Sequence, residues 1–402
     1  MRKIKKVAVI IFSAILSLNL FSCKENKSTM LNKNKPVIFY NRQPSDPITG
    51  KLDYSAVSWN SRTYYLGTDS QNGGETQGQQ ILDFLQNSNA EEIDRNGDGI
   101  IGYVLLIGDE GHIDSKARTE GVRRALDTWN NSTKPNIKKE GTVKIGNKSY
   151  KTVELAAKSM TGADGSTWNA ATARESMKIW TNSFGKSIDL VISNNDEMAL
   201  ACLSSENFPK GLPVFGFDAN DSVEKAIASG AITGTVTQNT DSQALALLFL
   251  VRNMCDGLLD AAVYTQGFSY GDKYGNKIST PFAYNEESRS LLVSNTAINK
   301  ENWQEYKKNA HSSTITKTQG SKVKLLLTVY NSNNDFLNEN FIPSINYYAP
   351  LLNIDVTIIY GDGQNENSCL SKFTNLSYYD AYAINLVKTN NAHLYTDKLI
   401  LQ

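Results

Sequence analysis

Residues 94–118 constrain this chain more tightly than any other stretch, because they set three kinds of segment end to end. Asp94, Asn96 and Asp98 stand at alternate positions ahead of Gly99, the oxygen-rich opening of a calcium loop with a glycine for the sharp turn. Tyr103 to Ile107 follow as an unbroken apolar run, too short for a helix and suited to a parallel strand buried on both faces. The polar residues that come next, His112, Asp114 and Arg118 among them, then lie on a loop at the carboxyl end of a strand, where open α/β sheets hold their ligands.

The amino terminus carries an address. Arg2, Lys3, Lys5 and Lys6 precede an apolar run from Val7 to Leu20, which closes in Leu20-Phe21-Ser22-Cys23. The run is too short to span a bilayer comfortably, and the order is that of a secretory signal over residues 1–22 with a lipoprotein cleavage box. Cys23 is then the expected lipidated residue and membrane anchor; the alternative is an ordinary signal peptide cut nearby, with Cys23 incidental. Residues 23–35 are polar without a periodic apolar face and read as a tether.

Basic and acidic residues number 41 each, for a net charge of zero, so nothing points to nucleic acid or to an acidic surface and an uncharged partner is expected. Cys202, Cys255 and Cys369 are an odd number at wide spacing, which argues against a disulfide framework. About 380 residues follow the leader, more than one core usually supports, so two domains are expected. Strand-like runs at 36–40, 103–107, 189–193, 213–217, 232–236, 324–330, 355–360 and 381–387 alternate with segments of helical spacing such as Val122, Ala125 and Leu126. That alternation is the pattern of an α/β protein with parallel sheets.

The 94–118 stretch resembles the glucose/galactose-binding proteins of bacterial methyl-galactoside transport systems. The likeness also rests on Asn41 in Pro36-Val-Ile-Phe-Tyr-Asn-Arg-Gln-Pro-Ser45, Trp168 in Ser166-Thr-Trp-Asn169, Asn195 in Ser193-Asn-Asn-Asp196 and Asp218 in Pro213-Val-Phe-Gly-Phe-Asp218. Residues 324–336 resemble that family's first strand and first loop, yet stand near the carboxyl end. Residues 381–387 resemble a strand that the family places just before the Pro-Val-Ile-Phe-Tyr-Asn motif. The resemblance implies an α/β, two-lobed type I periplasmic-binding-protein fold, with a parallel sheet flanked by helices in each lobe, circularly permuted. Residues 36–67, 239–293 and 323–402 would form the first lobe, 68–238 and 294–311 the second, and 312–322 the linker. Permutation keeps a fold wherever the strand pairings are kept. The alternative is a third small domain beginning near residue 320, which at roughly 80 residues would make a weak core.

The same resemblance implies a function: an exported, monomeric, periplasmic receptor that closes on D-glucose or D-galactose and delivers it to an ABC permease and ATPase, without catalysis. Trp168 and Phe336 would stack on the sugar ring. Asp114, Arg118 and Asp218 would supply affinity through charged hydrogen bonds, worth roughly 1.5–3 kcal/mol each. Asn41, His112, Asn195, Gln238 and Asn334 would set orientation. Asn334 stands where the family has an aspartate and Gln238 where an asparagine is usual, which leaves the epimer open with glucose favoured. For the cation loop the resemblance implies a structural Ca2+ held by Asp94, Asn96, Asp98, the Ile100 carbonyl and Asp189. Gly102 falls where the family has a side-chain oxygen, and the alternative is a turn without an ion.

Position supports the same set independently, since Asn41, Asp109 to Asp114, Asn195, Asp218 and Asn334 each follow a strand-like run, on loops that a parallel sheet gathers at one edge. Against this, Asp114 and Asp218 could be helix N-caps, His112 a structural histidine, and Trp168 and Phe336 core packing. Rival functions are a glycosidase using Asp114 and Asp218, a sugar-responsive regulator, and an adhesin or chemotaxis sensor that binds sugar without transport.

Overall fold

The computed structural model describes residues 34–49, 51–130, 136–138, 140–257, 274–276, 282–318, 320–363 and 365–400. The leader, Cys23 and nearly all of the tether lie outside these residues. Among the described residues no helix is long and apolar enough to cross a membrane.

One sheet runs β11 (Phe282–Asn285), β12 (Ser290–Val293), β2 (Thr63–Thr68), β1 (Val37–Tyr40), β16 (Ala381–Ile384), β14 (Val323–Val329) and β15 (Ile354–Tyr360). Its neighbours are parallel except the β11–β12 edge pair. The other runs β13 (Thr296–Asn299), β10 (Gly234–Thr237), β9 (Val214–Phe215), β8 (Leu190–Ser193), β3 (Ile100–Ile107), β7 (Lys148–Ser159) and β6 (Gly141–Ile145). A small ribbon pairs β4 (Trp129–Asn130) with β5 (Asn136–Ile137). Helices cover both sheets, so the architecture is α/β of the type I periplasmic-binding-protein kind.

The run at 103–107 shows why these segments are strands. Tyr103 and Leu105 belong to the core on one face of the second sheet, Val104 and Leu106 to the core on the other, the period of two that a doubly covered strand requires. The edges depart from the parallel expectation. β13 and β6 run antiparallel to their neighbours, β6 turning into β7 through Gly146 at φ +53°, and short hairpins of this kind carry too few apolar residues to stand out in sequence. The 381–387 run pairs only to Ile384. Beyond it the buried Asn385 takes over: its Nδ2 donates to the Tyr40 carbonyl at 3.2 Å and its Oδ1 accepts from the Tyr330 N–H at 3.0 Å.

β1 lies between β2 and β16, with Val37 opposite Tyr382 and Phe39 opposite Ile384. The first and last parts of the chain are therefore one sheet over one continuous core, not separate bodies. Thr240–Cys255, apolar almost all round, supplies the helix packed beneath it. The polar segment 312–318 forms no helix or strand, but it is tied to the first sheet's body, since the Thr316 N–H donates to Asn276 Oδ1 at 2.7 Å and the Thr318 N–H to the Leu351 carbonyl at 2.8 Å. At its end Arg252, fully buried and paired with Asp256, donates to the Ser321 carbonyl at 2.7 Å.

Three crossings join the lobes side by side. Thr68 Oγ1 donates to Gln238 Oε1 at 3.4 Å, Asn239 Nδ2 to the Ser294 carbonyl at 2.6 Å, and the Asn295 N–H to Asn72 Oδ1 at 3.0 Å. Bundled crossings of this sort absorb rotation at a few residues.

A chain ending at residue 311 would leave one edge of β1 without its partner. It is expected to show no cooperative transition in a circular-dichroism melt, whereas the full chain nicked within 312–318 keeps one; a cooperative melt of the truncated chain would mean that the two parts fold independently.

Candidate functional site

The loops that follow the parallel strands of both sheets converge on a narrow cleft with about 390 Å³ of space between its walls, part of it open to solvent. Asn41, Arg42, Tyr330, Asn334 and Phe336 line it from the first lobe, and His112, Arg118, Trp168, Asn195, Asp218 and Gln238 from the second. Of the residues that the sequence singled out for ligand binding, only Asp114 is outside this lining. Its carboxylate instead accepts from Ser70 Oγ and lies 4.0 Å from Arg118 Nη2. Arg42 and Tyr330 belong to the site and were not anticipated. Arg42 is held by the Val387 carbonyl and lies 3.7 Å over the Tyr330 ring.

Local backbone puts these side chains where they are. Asn41, Trp168 and Asp218 have φ of +62°, +59° and +113°, conformations that non-glycine residues adopt at a cost and that cluster at functional sites. The Trp168 N–H donates to the Gly108 carbonyl at 3.1 Å. A side chain at Gly108 would sit 2.1 Å from the indole, so the glycine is what lets the ring cover the strand end. His112, Asn195 and Asn334 are the residues that cap helices, accepting from the N–H groups of Asp114, Met198 and Leu337 at 3.2, 3.0 and 3.0 Å. The aspartates at 114 and 218 do not. Phe336 opens a π-helical turn, Phe336–Phe341, a rare form found mostly at functional positions.

Arg118 organises the charge. It is 4% exposed, lies 3.6 Å over the Phe217 ring and 5.7 Å over Trp168, and donates to the Asn194 carbonyl at 2.7 Å. Its Nη1 stands 3.6 Å from Asp218 Oδ1, which also accepts from Gln238 Nε2 at 2.7 Å. Burial nonetheless pushes the Asp218 carboxyl up to about 6, against the pull of Arg118. Burial also drives His112 down to about 4, so the ring is neutral at pH 7. Its Nδ1 accepts the Asp114 N–H, which leaves the ring proton on Nε2. The cleft thus offers a carboxylate, two guanidiniums, neutral donors and acceptors, and the rings of Tyr330, Trp168 and Phe336, the last two from opposite lobes.

At the outer lip the lobes touch. The Ser222 N–H donates to Glu339 Oε2 at 3.0 Å, and Asn340 Nδ2 to Asn220 Oδ1 at 2.9 Å.

The 94–100 loop is closed by its own hydrogen bonds. Asp94 accepts from the N–H groups of Gly97, Asp98 and Gly99, Asp98 from Ile100 N–H and Asn96 Nδ2, and Asp189 from Arg95 and Gly102. Asp189 is thereby brought to the loop. Among the described residues no three acidic, histidine or cysteine side chains converge as a metal cluster. A side chain at Gly102 would meet the Ser187 carbonyl oxygen at 2.1 Å, so packing keeps this position without an oxygen ligand.

A family model described as "Periplasmic binding protein domain" matches residues 29–258, and a second with the same description matches 322–392. The chain is 31% identical over 226 residues, 56% of its length and 58% of the relative's, to the D-galactose/methyl-galactoside binding periplasmic protein MglB of Haemophilus influenzae. It is 35% identical over 92 residues, 22% of its length and 25% of the relative's, to a xylitol-binding protein of Mycolicibacterium smegmatis. It thus spans less than two thirds of the length of these curated relatives. Among solved structures, an ABC transporter periplasmic solute binding protein from Actinobacillus succinogenes with bound D-allose is 14% identical, with a TM-score of 0.43 over 67% of this chain and 72% of that one.

The raised carboxyl of Asp218 has a sign that can be checked. The folded state holds this proton more tightly than the unfolded chain, so the cost of burying the charge is fully present above about pH 6 and is relieved as pH falls toward the ordinary carboxylate range. In urea unfolding, wild type should therefore gain stability relative to Asp218→Asn between pH 7 and pH 4.5, by about 2 kcal/mol. A difference independent of pH would mean that Asp218 is not held this way.

Proposed function

We propose that this chain, which belongs to the periplasmic binding protein domain family, is an exported, lipid-anchored receptor that closes its two lobes on one neutral hexose and delivers it to an ABC permease and its ATPase. The observation that carries the reading is the single cleft on which Trp168 and Phe336 converge from opposite lobes, with the Arg118–Asp218 pair and an array of neutral amides around it. A pyranose has two faces of C–H groups and a rim of hydroxyls that each donate and accept. Rings above and below would bury the faces. Asp218, Arg118, Asn41, Asn195, Gln238 and Asn334 would satisfy the rim, and the neutral His112 would add a donor. Each such pairing leaves little of the ligand's polar surface unmatched, which is what makes a buried polar site selective.

The Arg118 guanidinium is the anchor of that array. It is paired before any ligand arrives, so it is oriented and partly neutralised, and a hydroxyl that donates to Asp218 and accepts from Arg118 would favour the ionised carboxylate. Closure is favoured when the ligand contacts both lobes, since only differential contact shifts such an equilibrium. D-glucose is the favoured sugar, with D-galactose second: Asn334 uses its Oδ1 to cap the 336–341 turn, which leaves its amide N–H groups as donors rather than a charged acceptor toward the ligand.

No catalysis is assigned. Hydrolysis of a glycoside needs two carboxyls flanking the bond, and Asp114 is turned to Ser70 and Arg118 while only Asp218 faces the cleft. Cys23 is the anchor in this reading. A structural Ca2+ at Asp94, Asn96, Asp98, the Ile100 carbonyl and Asp189 is part of the proposal and is remote in role from the cleft.

Two experiments test this reading. Calorimetric titration with a panel of hexoses should show one-site binding of D-glucose, accompanied by a change in tryptophan fluorescence, and Trp168→Ala should abolish it; undiminished binding by that variant would remove Trp168 from the site. Chelation should lower the thermal midpoint of the full chain while leaving sugar affinity nearly unchanged, and a midpoint indifferent to chelator would remove the calcium.

A further inference from the structure

A second cavity, with about 970 Å³ of empty space opening to solvent, adjoins the hexose cleft and shares Arg42 and His112 with it. Its walls come from three loops. The 45–49 turn and the 387–390 segment belong to the first lobe, and the 109–116 loop belongs to the second. We infer that this cavity is a second subsite, and that the protein accepts a neutral disaccharide with one ring in the cleft and the next between these loops. The inference rests on the hexose reading of the cleft and extends it.

The partition between the two cavities is a seam between lobes. Arg42 is on the first lobe and His112 on the second, each held by its own side: Arg42 by the Val387 carbonyl and the Tyr330 ring, His112 by the Asp114 N–H. A glycosidic link would not have to thread a closed wall, because the lobes shut over it. Both faces of the seam carry hydrogen-bond donors, which suits the bridging oxygen and its neighbouring hydroxyls.

The far cavity is built to a fixed shape. Ser45 bonds Thr389 twice, through N–H to carbonyl at 2.8 Å and hydroxyl to hydroxyl at 2.7 Å. Asp46 Oδ1 accepts from the Ile48 and Thr49 N–H groups at 3.0 and 2.7 Å. That turn holds Ile48 at the rim with its side chain 92% exposed, an apolar group which a sugar's C–H face would cover. Lys116 and Asp109 face it from the other lobe, and with Arg42, Lys388 and Asp46 the walls carry both signs in nearly equal number, so they do not strongly select a charged ligand. A polar lining with one apolar plate is the composition that a second sugar ring satisfies.

The test is calorimetry on the full chain with D-glucose, maltose, cellobiose, melibiose and gentiobiose, on wild type, Lys116→Trp and Thr389→Trp. Each substitution fills the far cavity from a different lobe, at a residue that does not itself line the hexose cleft. The expected result is that wild type binds at least one disaccharide with a Kd within about tenfold of that for glucose. Both variants should then raise the disaccharide Kd more than tenfold and leave the glucose Kd within twofold. Glucose binding with no disaccharide binding, or equal weakening of both ligands in the variants, would overturn the subsite while leaving the hexose site standing. Binding of neither sugar by wild type would overturn the hexose reading and the subsite together.

Discussion

Strand β1 must be paired on both edges, and its two partners lie at opposite ends of the sequence. β2 follows it closely, whereas β16 arrives more than 300 residues later (Val37 pairs with Tyr382). A parallel strand buried on both faces has no tolerance for an open edge, because each unpaired N–H or carbonyl in the interior costs what a lost hydrogen bond costs. The tail of the chain is thereby obliged to return. Once it does, the loops after β1, β14 and β16 stand together, and Asn385 joins the Tyr40 carbonyl to the Tyr330 N–H. The cleft's first wall is a consequence of that pairing.

The second wall depends on a buried asparagine in the corresponding place. Asn194 follows β8, and its Oδ1 accepts from the Gly108 N–H at 3.1 Å and from Ser115 Oγ at 2.7 Å, while its carbonyl holds Arg118. A guanidinium taken out of water is costly unless its donors and its charge are both answered. Here a carbonyl, two carboxylates and two ring faces answer them. The arrangement fixes the anchor before a ligand arrives, so that binding energy is not consumed in ordering it.

Much of this was legible from residues. The strand at 103–107 and the loop after it followed from an apolar run and the polar residues behind it, whereas the place of 382–384 beside 37–39 was implied by the family resemblance, against the alternative of a separate small domain. What escaped had physical causes. Asp114 read as a ligand because it neighbours His112 and Arg118, but its partner Ser70 comes from a helix brought near only by packing. Arg42 and Tyr330 line the cleft because a cation stacks on a ring across two distant loops, a contact that no spacing announces; the one available sign was that Arg42 directly follows Asn41. The caps were exchanged, with His112, Asn195 and Asn334 taking the role that the aspartates were candidates for. The edge strands were too short and too polar to be seen.

The central claim is that two rings contributed by opposite lobes enclose one neutral sugar. A crystal structure of the full chain grown with D-glucose tests this most directly. The account predicts a single pyranose lying between Trp168 and Phe336, with hydroxyls on Asp218 and Arg118. An empty cleft at saturating sugar, or a sugar seated elsewhere on the molecule, would contradict it.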